Sequence, residues 1–150
     1  DVGLSVSRVG GSAQTEAMKK VTSELRLQLA QYEEVARFAR LGTEVDEATQ
    51  QQIERGKQLQ AVLTQPPHQP MSLSEQVVLF YAVQQELLEN LAENEVSRFE
   101  SRLLNFFRQE HSEMMEEIEL KRDLTGEMKK RLTEELEEFL KLEQGRSAER

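Results

Sequence analysis

The chain has 150 residues, no cysteine and a formal net charge of −9, and its length suits one domain with a modest core. The acidic balance argues against binding to a nucleic-acid backbone, because such proteins neutralise phosphates with clustered Lys and Arg. No apolar run approaches the length of a membrane span, and the lack of cysteine fits a reducing compartment. Charged residues at 31% and hydrophobic residues at 37%, with only three prolines, are typical of a helical domain.

Residues 1–12 form what we call the N-terminal stub, an apolar run of β-type residues that carries Arg8 and then turns at Gly10 and Gly11. So few apolar residues cannot form a stable sheet without neighbouring strands. We therefore interpret the stub as the trailing strand and loop of a missing domain, loosely ordered in isolation. The start at Asp1 rather than Met agrees with a piece of a longer polypeptide.

Helical periodicity begins near Ser12, which we predict as the helix start, and continues as a stripe of apolar residues. That stripe comprises Met18, Val21, Leu25, Leu29, Tyr32, Ala36 and Ala39. Gly42 is expected to end this helix in a left-handed turn, and Asp46 to cap a second helix. The second helix points Ile53, Leu59 and Leu63 inward. Gly56 in its interior predicts the close approach of another element.

Prolines at 66, 67 and 70 interrupt the helical pattern, and Ser72 with Glu75 forms a capping-box pattern for a third helix. Ser97 with Glu100 predicts the start of a fourth, and Thr125 caps a last one. The apolar stripes assigned to these three helices are Val77, Phe80, Tyr81, Leu87 or Leu88 and Leu91; Phe99, Leu103, Phe106, Phe107, Met114, Met115 and Ile118; and Met128, Leu132, Leu136, Phe139 and Leu140.

The predicted fold class is therefore all-α, a small bundle of about five helices that follows the stub. Four of the six phenylalanines lie between Phe80 and Phe107, so we expect the core to be centred there. We assign residues 13–144 to the bundle and residues 145–150 to a polar tail that frays.

The other polar residues favour structural roles. His111 shares a helical face with core residues, so a satisfied core or boundary histidine is favoured over a ligand. No set of metal-ligating residues accompanies it or His68, and we predict no metal site. Residues Glu134–Glu138 could be read as paired catalytic carboxylates, but a solvated helix face with partners Lys130 and Arg131 is favoured. The pair Met114 and Met115 continues the core stripe.

Arg8 admits two interpretations, an exposed loop cation or a functional guanidinium that meets phosphate oxygens with two parallel bonds. The surrounding residues favour the second. The segment Val6–Gln14, followed by Met18–Lys20, resembles the end of the nucleotide-binding domain in the alpha subunit of rotary F-type ATP synthases. In that family the matching arginine reaches into the catalytic site of the neighbouring beta subunit.

The resemblance continues along most of the chain. Leu29–Ala39 is similar to the family's "LAQYRE(V/L)AAFA" helix, with Glu33 in place of the usual arginine, and further matches fall in the second and third helices and at Phe99, His111 and Phe139. The turn at residues 40–46 lacks the acidic DELSEED segment that bears on the gamma subunit in beta subunits. This difference favours alpha over beta, and also over the related flagellar-export ATPases.

The resemblance implies a regulatory and structural part of the catalytic head, with Arg8 as an arginine finger acting in trans during ATP synthesis and hydrolysis coupled to proton or sodium transport. Its implied partners are the beta and gamma subunits, and its implied place is the cytoplasmic face of a bacterial inner membrane. ATP or ADP with magnesium would be bound by the intact complex. No phosphate-binding loop occurs in this sequence, so we expect the fragment alone to bind no nucleotide and to be inactive.

Two further points stay open. In the family a glutamine matching Gln65 contacts the adenine of the non-catalytic nucleotide, but Pro67 replaces the second glutamine, so Gln65 is either such a contact or a helix-end residue. The whole protein is alternatively an acidic helical adaptor without a nucleotide role. An isolated fragment would also expose apolar surface on the stub and first helix, which favours homodimer formation.

Overall fold

A computed structural model describes residues 15–42, 46–64, 71–87 and 93–148, and all of its regular structure in these ranges is helical. The prediction of an all-α bundle is confirmed. The helices are α1 (Glu16–Leu41), α2 (Glu47–Thr64), α3 (Leu73–Gln84), α4 (Glu93–Glu110), α5 (Ser112–Lys121) and α6 (Gly126–Ala148). The strand assigned to the stub lies outside the described residues.

Helix α1 begins later than predicted and ends differently. Its N-cap is Thr15, whose hydroxyl accepts a hydrogen bond from the Met18 amide at 3.2 Å, so the expected start at Ser12 is wrong. Gly42 ends the helix as predicted, but its backbone is extended, with φ −94° and ψ 163°, rather than left-handed. The Gly42 amide still donates to the Phe38 carbonyl, so the last turn is closed without the left-handed residue.

Helix α2 packs along α1, and the contact depends on a glycine. The Asp46 carboxylate accepts a hydrogen bond from the Thr49 amide at 2.7 Å, which confirms the predicted cap. A Cβ atom placed on Gly56 would lie 1.9 Å from ring carbons of Tyr32. The predicted close approach at Gly56 is therefore confirmed, and the element that approaches is α1.

Helix α3 is the centre of the molecule. Its residues from Gln76 to Val83 are all buried, and it packs against α1, α4 and α5. The predicted one-sided stripe is therefore too narrow, because a helix enclosed by neighbours is apolar on every side. The predicted capping box is confirmed, since Ser72 and Glu75 exchange side-chain and backbone hydrogen bonds. The helix ends at Gln84, and Glu86 in the following turn has φ 61°.

The segment predicted as one fourth helix is two helices. Helix α4 starts at Glu93, so the predicted N-cap at Ser97 is wrong, and Ser97 lies in the second turn. His111 has a non-helical backbone, φ −134° and ψ 42°, and separates α4 from α5. Apolar periodicity continues on both sides of His111, which explains why the sequence pattern conceals the corner.

The core is built from α1, α3, α4, α5 and α6, and α2 adds the partly buried Leu59 at its edge. Phe80 and Phe107 are 1% and 0% exposed, and the cluster around them confirms the core predicted from the phenylalanine positions. Met114 and Met115 are buried in it, as predicted. The other buried members of this cluster from α1, α4, α5 and α6 include Met18, Leu25, Leu29, Leu103, Ile118, Met128, Leu132 and Leu136.

Helix α6 is joined to the remaining helices through side chains. The Phe139 ring packs edge-on against Phe99, with centroids 5.4 Å apart, and Thr133 forms a 2.8 Å hydrogen bond with the Tyr81 hydroxyl. Thr125 caps the helix through the Met128 amide, as predicted. The helix continues to Ala148, and the fraying expected for residues 145–150 stays a prediction.

Candidate interaction surfaces

The two residues singled out for function, Arg8 and Gln65, lie outside the described residues, as do Pro67 and His68. Their roles stay predictions. The described part of the molecule instead presents two surfaces with unusual features. The first, called the far end of the α1–α2 pair, is formed by the C-terminal end of α1 and the N-terminal end of α2, and the second is the corner at His111.

The far end of the α1–α2 pair carries large apolar side chains in solvent. Phe38 is 75% exposed and Leu41 is 83% exposed, although they stand only three residues apart on the last turn of α1. Residues at this spacing share one face of a helix. Exposed apolar residues that stand singly are ordinary, whereas an adjacent pair at the tip of a helical hairpin is typical of a contact surface.

A groove of about 780 Å³ runs beside this pair, between the end of α1 and the start of α2. Its apolar lining comes from Val35, Phe38 and Ala39 of α1. Asp46 lies on the opposite wall, and hydrogen bonds from Thr49 lower the pKa of its carboxyl. The groove therefore pairs an apolar wall on α1 with a carboxylate whose pKa is lowered at the start of α2.

The corner at His111 places an imidazole between two carboxylates of α6. The His111 Nε2 atom lies 3.0 Å from Oε2 of Glu138, and Nδ1 lies 3.6 Å from Oε1 of Glu135. Phe106 and Phe107 flank the ring, with centroids 5.2 Å and 5.6 Å away. His111 is thus a boundary residue, as predicted.

The carboxylates on α6 differ from the predicted solvated face at one position. Glu134, Glu137 and Glu138 are more open to solvent, whereas the Glu135 side chain is only 16% exposed. Burial raises the pKa of Glu135, and this effect outweighs the attraction of His111 and Arg131. Arg131 was expected to pair within α6, but its guanidinium binds Glu117 of α5.

Two further ion pairs join neighbouring elements. Lys20 Nζ of α1 lies 2.8 Å from Oδ1 of Asp123 in the loop before α6, and the Arg108 guanidinium of α4 binds Glu75 of α3. Burial raises the pKa of Glu75, but hydrogen bonds from Arg108 and Ser72 reverse the shift and lower it overall. These pairs add to the contacts between α1, α3, α4 and the loop before α6.

Within the described ranges, no group of three or more His, Cys, Asp or Glu side chains is arranged to hold a metal ion. None of the helices in those ranges is long and apolar enough to cross a membrane.

Sequence reasoning missed both surfaces for identifiable reasons. Phe38 follows the stripe residue Tyr32 by six positions, which places it off the buried face, and this spacing could have identified it as exposed. The burial of Glu135 carries no such signal, because it depends on how α6 crosses the corner between α4 and α5.

A comparison with known protein families identifies what the chain is similar to. A family model described as "ATP synthase alpha/beta chain, C terminal domain" matches residues 14–139, which include all of α1 to α5 and more than half of α6.

Proposed function

The protein belongs to the family formed by the C-terminal domains of ATP synthase alpha and beta subunits, and from that membership we propose that it is the C-terminal helical domain of an alpha subunit, preceded by the last strand and loop of the nucleotide-binding domain. The observation that carries this proposal is the family match over residues 14–139 joined directly to the Arg8 segment. In an ATP synthase such a domain is a peripheral part of the catalytic head.

The choice of alpha over beta rests on two features of the sequence. Val6–Gln14 resembles the alpha-subunit pattern, and the turn at residues 40–46 has no acidic DELSEED segment. The exposed pair Phe38 and Leu41 leads into this turn. The residues that precede the turn are therefore apolar rather than strongly acidic, which supports the choice of alpha.

Arg8 is proposed to act on nucleotide held by the neighbouring beta subunit. Its guanidinium would stabilise negative charge that develops on the transferring phosphoryl group, an effect worth about 10³–10⁵ in rate for known arginine fingers. Because the Arg8 segment directly precedes α1 in the sequence, movement of the helical domain would be transmitted to Arg8. The domain would thereby couple closure of the interface to ATP synthesis or hydrolysis and so to ion transport.

ATP or ADP with magnesium is proposed to bind the intact complex and not this domain alone. Gln65 would contact the adenine of the non-catalytic nucleotide, while Pro67 supplies no side-chain donor beside it. The proposed location is the cytoplasmic face of a bacterial inner membrane, where the head is attached through other subunits.

The far end of the α1–α2 pair is proposed to face the gamma subunit. In a head reconstituted with beta and gamma, Leu41→Ser should weaken gamma binding about tenfold to hundredfold, because a buried leucine contributes about 1.5–3 kcal/mol. Leu120→Ser is the matched control, since Leu120 is 84% exposed on α5, away from that end.

The measurement is the dissociation constant for gamma, with turnover as a second readout. Loss in Leu41→Ser alone supports the assignment. Wild-type binding by Leu41→Ser, or equal loss in both variants, contradicts it.

The second candidate function is an acidic adaptor with no nucleotide role, which the net charge of −9 and the exposed apolar end would also suit. The coding sequence upstream of Asp1 discriminates the two. An alpha subunit requires a phosphate-binding loop there, whereas an adaptor does not.

A further inference from the structure

The corner between α4 and α5 is held to α6 by groups that exchange protons. His111 occupies the N-cap position of α5, yet its side chain makes no capping hydrogen bond. The residues preferred at this position, Ser, Thr, Asp and Asn, accept a hydrogen bond from the first helical turn. The His111 ring instead turns away from its own helix and toward Glu135 and Glu138.

The geometry of this contact favours a protonated state. A neutral imidazole has one N–H donor and one lone pair, whereas an imidazolium has two donors. Both ring nitrogens of His111 face carboxylates, Glu138 at 3.0 Å and Glu135 at 3.6 Å. If the ring is neutral and both carboxylates are ionised, a lone pair of the ring faces a negative oxygen. A proton on the ring or on one carboxyl removes this repulsion, so the arrangement is more favourable when the cluster holds one more proton.

The surroundings of Glu135 favour the same protonated state. Its Oε2 atom is buried and has no hydrogen-bond partner among the residues described. An ionised carboxylate oxygen left in this condition is costly, and burial correspondingly raises the pKa of Glu135. Arg131, a cation one helical turn before it, is engaged by Glu117.

Other charged groups surround the corner from each packed helix. On α6, Glu134 and Glu138 add negative charge near Glu135, and Arg131 adds positive charge. On α4, Arg108 is bound by Glu75 of α3. The exposed carboxylates that flank His111 along the sequence are Glu110 and Glu113. Arg102 of α4 and Arg146 of α6 line the same groove as Glu138, and Arg102 is paired with Glu143. Carboxylates still outnumber cations around the corner, which favours proton uptake.

We propose that His111, Glu135 and Glu138 form a proton-dependent latch that holds the α4–α5 corner against α6 at low pH and loosens as the pH rises. The latch does not depend on which ATP synthase subunit contains the domain.

The sign of the effect follows from proton linkage. If the folded corner binds a proton more tightly than the unfolded polypeptide, the contribution to stability is present at low pH and is lost as the pH rises through the titration of the cluster. This trend is opposite to that of an ordinary ion-paired carboxylate, whose contribution is lost in acid.

The test compares urea unfolding of the protein at pH 5.5 and pH 8.5 for the wild type, His111→Gln, Glu138→Gln and Glu137→Gln. Glu137→Gln is the matched control, because it neutralises an exposed carboxylate next to Glu138 that has no described contact with His111. The ratio of the wild-type folding equilibrium constant to that of His111→Gln should fall about threefold to tenfold between the two pH values. Glu138→Gln should lose a similar pH dependence, and Glu137→Gln should match the wild type.

Amide hydrogen exchange provides the local readout. After correction for intrinsic exchange, residues 112–115 should be more protected at pH 5.5 than at pH 8.5 in the wild type and Glu137→Gln, and equally protected at both in Glu138→Gln. A pH profile of Glu138→Gln identical to that of Glu137→Gln overturns the latch, even if His111→Gln fails to fold. A wild-type ratio to His111→Gln that is constant with pH overturns it as well.

Discussion

A methyl group on Gly56 would overlap the Tyr32 ring, both at Cγ, where the ring joins its side chain, and along one edge. Cγ, Cδ2 and Cε2 of the ring would lie 1.9, 1.9 and 2.5 Å from the added Cβ. Alanine ordinarily stabilises a helix interior by about 1 kcal/mol relative to glycine. At this position the overlap reverses the sign, because the whole ring or the α1–α2 pair must move. Gly56→Ala should therefore lower the free energy of unfolding by about 1–3 kcal/mol.

The control is Gly145→Ala in α6, where an added Cβ meets nothing within 4 Å. This variant should equal or slightly exceed the wild-type stability by up to about 1 kcal/mol. Urea denaturation of both variants is the measurement. Equal effects of the two substitutions would show that α2 does not pack on Tyr32.

Gly56 also shows how much of a packing contact can be predicted from the sequence. A glycine within a helical pattern predicts close packing, and this was confirmed. The identity of its neighbour, Tyr32, could not be predicted, because Tyr32 was equally suited to face the core. The predictions for Glu135 and Gly42 were wrong for a similar reason. The burial of Glu135 and the backbone angles of Gly42 are set by contacts that form only in the folded protein.

Among the helices, Glu75 joins the start of α3 to α4. One oxygen of its carboxylate accepts from the Ser72 amide at 3.2 Å, and the other binds Arg108. Glu75→Gln preserves a side chain suited to the capping box but removes the charge on Arg108's partner. At pH 7 the variant should be about 0.2–1 kcal/mol less stable than the wild type, since Arg108 is half exposed and solvent screens the pair.

The pH dependence gives this prediction its sign. The pKa of Glu75 is lowered in the folded protein, so its contribution is present above the ordinary carboxyl pKa and is lost as the pH falls through the lowered value. Between pH 6 and pH 3, Glu75→Gln should consequently lose less stability than the wild type. Glu24→Gln, at an exposed position in the middle of α1, should follow the wild-type curve. Parallel curves for all three proteins would exclude a role for the Glu75 charge.

The sequence predicted where helices occur more reliably than where each helix begins and ends. The caps at Asp46, Ser72 and Thr125 were identified from oxygen acceptors that act within one turn. Ser97 also has a hydroxyl that could accept such a hydrogen bond, but its prediction as an N-cap was wrong because the helix already begins at Glu93. The division at His111 was concealed for another reason: apolar residues on both sides of the corner share the same core.

In the molecule as a whole, the described helices other than α2 share a core around Phe80 and Phe107, and side chains of α3 and α4 attach α6 to it. Helix α1 spans 26 residues, or about 39 Å, so a displacement of its C-terminal end would reach its N-terminus if the helix moves as a rigid body. Phe38 and Leu41 lie at one end of that helix, and the Arg8 segment precedes the other. This arrangement links the proposed gamma contact to the proposed arginine finger.

The fold class and the position of the core were thus predictable from periodicity, whereas function came from resemblance alone. Composition fits an adaptor as well as an ATP synthase domain. The family match establishes the domain, and the role of Arg8 remains the proposal on which the functional account depends.

Turnover of a reconstituted head that carries Arg8→Lys in the full alpha subunit tests that proposal most directly. Lysine retains the positive charge but loses the planar, two-bond geometry of the guanidinium. We predict that multi-site ATP hydrolysis falls by about 10³-fold or more while nucleotide binding to beta is nearly unchanged. Wild-type multi-site turnover in the Arg8→Lys head would contradict the account.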